Sequence, residues 1–437
     1  MSQKPQTIRV AAVDLNGVSR GKRVPFSYGE KLDKGAVRLP FSAMNVDVWG
    51  EDIDDSPLVF ESGDADGILR PTLRGPVPMP WLANPSELHP MVMHHDDGTP
   101  FAGDPRHALM AVLDRYNKRG WKVMAATELE FYLVDDSGQT LQPARSPLTG
   151  KPMHTADVLS LDTLDAFDGF FTDLYAASAA MDLPAQAAIS ESGAGQFEVN
   201  LNHGDALKAA DDAWLFKTLV RGMARKHGMA ATFMAKPFAA DAGNGMHVHF
   251  SVVDADGNNI FNDGGPDGSV ALHHAIAGCL AAMPASMLIF APHANSYARM
   301  VEGAHAPTGI SWAHENRTAA IRIPGGAPAA RRIEHRVAGG DINPYLMLAV
   351  VLGAALTGIE DGQMPPAPIT GNAYDQGLPQ LPTDWADAID LFASSEIMTR
   401  ILPADLIRNM VLTKRQELGK MAGLDDAQQT AIYLETV

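Results

Sequence analysis

A single cysteine, Cys279, stands in 437 residues. It excludes an internal disulfide and a cysteine-built zinc cluster, and it predicts a reducing, cytoplasmic setting. Positive charge is scarce too: 34 Lys and Arg against 52 Asp and Glu leave a formal net charge of −18. That balance excludes the nucleic-acid and anionic-membrane binding that needs positive surface, and it tolerates a cationic substrate. Met1 to Leu15 carries no basic-then-apolar leader pattern. Long hydrophobic runs are few. Ala275–Pro292 is Ala-rich and broken by Pro284, and Tyr345–Ile359 is short of the roughly 20 residues a membrane span needs, so both read as buried helices. There is no internal repeat, no low-complexity tract and no Walker phosphate loop. What is present is an ordinary apolar share of 46%, enough for a sizeable core, on a length that predicts two or three domains.

Ile8, Val10 and Ala12 alternate with other residues up to Asn16-Gly17, a strong hairpin signal, and Lys22-Arg23-Val24 continues as the return strand. From Leu39 to Trp81, Asp, Gly and Pro interrupt short apolar stretches, which predicts a small strand-rich unit with long loops. A new regime opens at Asp104-Pro105, with Asp104 as N-cap, Pro105 at the first helical position and Gly120 at C′. Strands are expected over 121–134, 187–201 (as an extended segment), 231–238, 246–253, 319–323 and 332–337. Helices are expected over 164–181, 205–227, 271–290 and 344–358, with a helical, Pro-interrupted remainder.

Period two puts Glu128 and Glu130 on one face of the first of these strands and Leu129 and Phe131 on the other. An isolated pair of this kind is most often a solvated face. Here further donors follow: Glu191 and Glu198 bracket a flexible Ser192–Phe197 link, His247 and His249 share a strand face, and Arg332, Glu334 and Arg336 form another one-face set. Five Glu and one or two His among apolar neighbours make an oxygen-rich set that suits Mg²⁺ or Mn²⁺ better than zinc. Arginines are dense beside them: Arg299, Arg317, Arg322, Arg331, Arg332 and Arg336. Divalent cations with guanidinium forks point to phosphoryl transfer from a nucleotide.

The motifs T-E-L-E-F-Y-L at 127–133, E-S-G-A-G-Q-F-E-V-N at 191–200, G-N-G-M-H-V-H at 243–249, N-S-Y-A-R at 295–299, N-R-T-A-A-I-R-I-P at 316–324, R-R-I-E-H-R at 331–336 and N-P-Y-L at 343–346 occur in that order. In this they resemble the glutamine synthetase family, from about Arg9 to the C-terminus. The resemblance implies an α+β fold, with a small N-terminal β-grasp-like domain over 1–103 and a large α/β catalytic domain over 104–437. It implies a dodecamer of two stacked hexameric rings with active sites between neighbouring subunits. Carried over by residue, Glu130, Glu191 and Glu198 would hold one divalent ion and Glu128, His247 and Glu334 a second. Arg299 and Arg336 would bind substrate glutamate, with Gly243 near its amino group. Arg317 and Arg322 would face the transferred phosphoryl group, and His249, Arg317 and Arg332 the nucleotide.

The departures from the family pattern set the expected substrate. Ammonia-using members place a Glu six residues after the Arg of N-S-x-x-R, where this chain has His305. They also carry an N-terminal Asp-Gly-Ser-Ser, where this chain has Leu39-Pro40-Phe41-Ser42 and then Asp47. Losing fixed negative charge disfavours ammonium and favours an amine with an apolar group. The wording L-P-x-S, T-E-L-E-F-Y-L and R-I-E-H-R-V-A-G is most similar to the glutamate–amine ligases, such as glutamate–putrescine ligase and γ-glutamylmethylamide synthetase. The expected reaction joins a primary amine to the γ-carboxylate of L-glutamate with ATP, and His305 and Asp47 are the candidate amine-side groups. The alternatives are a glutamine synthetase with a divergent flap and an inactive ring-forming scaffold. Tyr374 resembles the adenylylated tyrosine of some relatives, but the residues after it are altered and it reads as an unregulated surface residue.

Overall fold

The computed structural model describes residues 5–155, 157–303 and 306–437. The strands are β1 (Thr7–Val13), β2 (Ser19–Pro25), β3 (Val37–Pro40), β4 (Asp66–Pro71), β5 (Val77–Pro78), β6 (Ser86–His94), β7 (Lys122–Asp135), β8 (Gln142–Pro143), β9 (Ala185–Ser190), β10 (Gln196–Asp205), β11 (Ala230–Thr232), β12 (Met246–Val253), β13 (Trp312–His314), β14 (Ile321–Ile323) and β15 (Ile333–His335). The helices are α1 (Pro105–Asn117), α2 (Leu161–Ala166), α3 (Asp168–Ala180), α4 (Ala206–Lys226), α5 (Val270–Ala282) and α6 (Met287–Phe290). They continue as α7 (Pro344–Asp361), α8 (Trp385–Ser394), α9 (Glu396–Thr399), α10 (Ala404–Met421) and α11 (Asp426–Thr436).

Among the described residues the strands form two sheets. The first has six strands in the order β2-β1-β6-β4-β3, with β5 on β6. Strand β1 is buried on both faces: Ile8, Val10 and Ala12 join a local core with Leu39, Phe41 and Met93, while Ala11 and Val13 join the main core. The hairpin is present, antiparallel, with Ile8 opposite Val24. Loops of this sheet dock on α10 through buried polar contacts. Asn16 donates to Glu417 at 2.8 Å, and Glu417 pairs with Lys414 at 2.7 Å with both side chains fully enclosed.

The second sheet has nine strands in the order β13-β14-β15-β12-β7-β10-β9, with β8 and β11 on β7. One face packs on the main core through Leu129, Phe131, Phe197, Val199, Val248, Phe250 and Ile333. Helix α7, apolar nearly throughout, is buried in that core against α5.

Local signals explain most boundaries. Asp104 caps α1 by accepting from Arg106 N–H at 2.8 Å, and Pro105 opens it. Gly120, at φ +72°, donates to Asn117 O while Trp121 donates to Tyr116 O, the paired bonds of a Schellman ending. Four expected spans come out differently. The extended segment over 187–201 turns back on itself at 191–195, giving β9 and β10 as antiparallel neighbours. The helix over 164–181 breaks at Phe167 (φ −110°), whose ring is fully buried against Phe197, and becomes α2 and α3. The helix over 271–290 breaks around Pro284 into α5 and α6, because proline cannot donate to the preceding turn. The strand over 231–238 stops at Thr232: Asn244 Nδ2 takes the Met234 carbonyl, and Asn295 Oδ1 takes the Lys236 N–H.

Candidate functional site

The donors lie on the face of the nine-stranded sheet opposite its core, and strand register assembles them. Glu198 on β10 is opposite Glu130 on β7, and Glu128 is opposite His247 on β12. His249 is opposite Glu334 on β15, and Glu334 is opposite Arg322 on β14. Each step across the sheet moves by an even number of residues, so every one of these side chains stays on one face.

Three groups have ligand atoms within 4.8 Å of one another: Glu130 with Glu191 and Glu198, Glu128 with Glu198 and His247, and Glu128 with His249 and Glu334. The first is the expected trio. The second expected trio, Glu128–His247–Glu334, divides differently. Glu128 is shared between the two imidazoles, 3.1 Å from His247 Nδ1 and 3.0 Å from His249 Nε2, and His249 rather than His247 lies with Glu334. Two imidazoles two residues apart on one strand both reach the carboxylate on the neighbouring strand.

Charge at these residues is unevenly balanced. Burial raises the Glu128 carboxyl, but the hydrogen bonds from His247 and His249 outweigh it and hold the group well below the usual range. Glu334 is 1% exposed and sits between two arginines, Arg322 Nη1 at 2.6 Å and Arg336 Nη1. Burial is again outweighed, here chiefly by Arg336, and its carboxyl is lowered. Glu198 has no such partner among the described residues. Burial first, and then Glu128, Glu130 and Glu191, push it up to about 9, and burial with Glu130 pushes Glu191 up to about 7. Crowded acids without internal counter-ions are what a hard divalent cation relieves, and carboxylate oxygens with one or two imidazoles fit Mg²⁺ or Mn²⁺.

The glycine run at 243–245 brings backbone into the same space. Gly245 N–H donates to Glu130 Oε2 at 2.6 Å, and a Cβ there would lie 2.7 Å from Arg299 Nη2. A Cβ on Gly243 would meet Arg299 Cγ at 2.8 Å. Arg299 is therefore beside both, buried, with Nη1 on the Val337 carbonyl at 2.8 Å. Gln196 ties the Glu191–Glu198 link to this run, accepting from Gly193 N–H at 2.9 Å and donating to Gly243 O at 3.0 Å. The link expected to be flexible is thus braced. Gln196 and Gly245 carry no catalytic residue type, and only their places inside two of the motifs could have drawn attention to them.

The arginines are partly satisfied. Arg322 and Arg336 each spend a terminal nitrogen on Glu334 and keep a buried Nε–H with no acceptor among the described residues. Arg332 donates to His249 Nδ1 at 3.3 Å, which links the outer guanidinium to the donor row. Arg317 is exposed, and its charge acts on Glu191. Asp47 is fully enclosed, and none of its hydrogen-bond partners belongs to the donor row. Its carboxylate accepts from Lys420 Nζ and Gln416 Nε2 on α10 and from Trp49 and Glu51 N–H. His305 lies outside the described residues. Tyr374 is half-buried and donates to the Ala306 carbonyl at 3.0 Å.

Clustered carboxylates and imidazoles on one sheet face offer oxygen and nitrogen ligands suited to hard cations, and the half-satisfied guanidiniums that border them offer donors suited to an anion. Comparison with known proteins gives this arrangement a family. Residues 102–433 match the family described as "Glutamine synthetase, catalytic domain", and the chain belongs to the glutamine synthetase family. It is 39% identical over 404 residues to the gamma-glutamylputrescine synthetase PuuA of Escherichia coli, covering 91% of this chain and 85% of that protein. It is 33% identical over 453 residues to a glutamate–isopropylamine ligase of a Pseudomonas species, covering 99% and 95%. A solved structure described as a novel glutamine synthase homolog superposes with a TM-score of 0.86 at 26% identity, covering 100% of both chains.

Proposed function

We propose that the protein joins a primary amine to the γ-carboxylate of L-glutamate, using ATP and forming a γ-glutamyl amide, ADP and phosphate. One observation carries this reading: seven acid and imidazole donors converge beside arginines whose Nε–H groups have no acceptor among the described residues. The family, and relatives named for putrescine and isopropylamine, support it.

Glu130, Glu191 and Glu198 would hold one divalent cation, and Glu128 and Glu334 a second; the family pattern gives His247 as its third ligand and turns His249 to the nucleotide beside Arg332, which requires His249 to yield the place it holds next to Glu334. Mg²⁺ or Mn²⁺ held there would screen the repulsion between the γ-carboxylate and the terminal phosphate. Arg299 and Arg336 bind the glutamate carboxylates, with Gly243 near the α-amino group. A γ-carboxylate oxygen attacks the terminal phosphorus and ADP departs. Arg317 and Arg322 offer N–H donors to the phosphoryl oxygens as charge moves onto them. The amine lone pair then attacks the acyl carbon, the C–N bond forms as the C–O bond breaks, phosphate leaves, and a base takes the amine proton. His305 is assigned to that side of the site. Asp47, enclosed by Lys420 and Gln416, is assigned a positioning role in its loop. Assembly as a dodecamer of two hexameric rings is part of the same proposal, and mass photometry tests it.

The decisive experiment gives purified protein ATP, Mg²⁺ and glutamate with ammonia, methylamine, isopropylamine, ethanolamine or putrescine. An amine is expected to give the highest kcat/KM. If ammonia does, the protein is a glutamine synthetase. If no acceptor releases phosphate and Glu130→Ala changes nothing, it is a scaffold.

A further inference from the structure

Away from the donor face, a cavity of about 640 Å³ opens between the Gly17–Ser19 turn, Trp81–Leu82, one face of α4 and the end of α11. Its volume is that of a small-molecule site. Indoles form much of its wall. Trp214 is buried and donates Nε1–H to Ser19 Oγ at 3.1 Å. Trp81 lies flat against α4 at Gly222, where a Cβ would come within 2.5 Å of the ring, so only glycine lets the indole seat there.

Trp214, Thr218, Arg221 and Arg225 follow one another at helical spacing along the lining face of α4. The charges on that face are not equivalent. Arg225 is held by Asp136 at 2.6 and 2.8 Å, and Lys226 by Asp173 at 2.9 Å. Arg221 has neither an ion pair nor a hydrogen-bond acceptor among the described residues. Its guanidinium carbon lies 5.4 Å from the centre of the Phe233 ring, and Lys217 crowds that ring at 5.1 Å. Lys217 has already taken the Gly340 and Ile342 carbonyls. Glu435 is the one acid in the lining and makes no ion pair with Arg221.

An unsatisfied guanidinium in an aromatic-walled cavity matches an oxyanion at one end of a flat apolar body. One uncompensated positive charge matches a monoanion, which favours a carboxylate over a phosphate dianion facing Glu435. We propose that this cavity binds a small planar organic carboxylate, with its oxygens on Arg221 and its ring against Trp81 and Trp214. The site is separate from the donor face and does not depend on which amine the enzyme uses.

The test titrates full-length protein with benzoate, benzamide and phenyl phosphate, following intrinsic tryptophan fluorescence and calorimetry, with and without saturating ATP and glutamate. Benzoate is expected to bind saturably, about tenfold or more tighter than neutral benzamide, and independently of ATP and glutamate. Arg221→Met should weaken it by about tenfold or more with the quaternary state unchanged, and Trp81→Ala should weaken it in an independent background. Five results would each overturn the proposal: no saturable benzoate signal up to about 10 mM, equal binding by Arg221→Met, competition with glutamate or ATP, tighter binding of phenyl phosphate, or loss of quaternary structure in Arg221→Met without any ligand effect, which would mark the cavity as a contact between copies of the chain.

Discussion

Replacing Glu198 by glutamine keeps the shape of the side chain and removes its charge. Glu198 belongs to two of the three donor groups, so its oxygens lie within 4.8 Å of those of Glu128, Glu130 and Glu191. Two carboxylates at that separation repel by about 3 kcal/mol at an effective dielectric of about 20. Without a cation the chain escapes by keeping a proton on Glu198, whose carboxyl is pushed from 4.5 up to about 9 by burial and then by its acidic neighbours. Holding that proton at pH 7.5 against an ordinary carboxyl costs about 4 kcal/mol. The two figures agree in size. Glu198→Gln should therefore stabilise the metal-free protein by roughly 2–4 kcal/mol, or about 2–4 °C at about 2.1 cal/mol/K per residue over a chain of this length. The sign with pH follows. The folded form binds the extra proton between about 4.5 and 9, so wild-type stability from this group is full at low pH and is lost as pH rises through that window. The variant should lack that slope. Added Mg²⁺ should raise the wild-type melting temperature strongly and the variant's weakly, and phosphate release should collapse. The assay is thermal melting in chelator and in millimolar Mg²⁺ across pH 6–9. A variant less stable than wild type in chelator, with an unchanged Mg²⁺ response, would refute the cation-site reading.

Two further perturbations test other parts of the structure. Arg336→Met removes one of two guanidiniums from Glu334, whose surroundings are almost fully enclosed, and should cost roughly 3 kcal/mol. Adding Glu334→Leu should recover most of that stability in chemical denaturation without restoring activity, and a double variant as unstable as the sum of the singles would contradict the pairing. His107 is buried with Nε2 on the Met93 carbonyl at 2.9 Å, and burial, with Arg106, pulls it from 6.5 down to about 4. The folded form then binds fewer protons between those values, so its stability is full above pH 6.5 and is lost as pH falls towards 4, by roughly 3 kcal/mol. His107→Gln should flatten that limb of the stability profile, and an identical limb would mean the imidazole is not held neutral.

The donor set is legible in the sequence because strands alternate. E-x-E and H-x-H put both polar members, and R-I-E-H-R its two arginines and glutamate, on one face by period two alone, and the structure adds only which strands are neighbours. Neighbourhood is where the reading of residues stops. Nothing local says that β12 inserts between β7 and β15, and this order decides that His249 rather than His247 meets Glu334. The helix break at Phe167 is illegible for a similar reason: no proline or glycine marks it, and the cause is a buried ring contact with Phe197, about thirty residues away in sequence. Pro284 was visible, and it ends the helix as proline does. The early end of β11 depends on side chains of Asn244 and Asn295 that take over backbone partners, a substitution that composition cannot signal.

The same alternation explains why the site tolerates such unfavourable chemistry. Side chains on one face of the nine-stranded sheet crowd like charges, while those on the other, among them Leu129, Phe131, Val248 and Phe250, are fully packed in the main core. A one-residue slip between β7 and β12 would send Leu129 and Phe131 to the polar face and the glutamates into the core, so apolar burial locks the register that holds the acids together. The arginines then divide the donor row. Glu334 is neutralised from within the protein by Arg322 and Arg336, while Glu198 has no ion pair among the described residues and Glu191 feels only the charge of the exposed Arg317. The row is therefore asymmetric before any cation binds: the Glu130–Glu191–Glu198 end gains most from one, and at the Glu334 end a cation must share the carboxylate with two guanidiniums. Cation titration followed by calorimetry should accordingly show a tighter first site that Glu191→Gln weakens, and a second, weaker site that tightens when Arg322 is replaced by methionine. Two equal sites, or a first site indifferent to Glu191, would mean that the internal arginines do not set the order of binding.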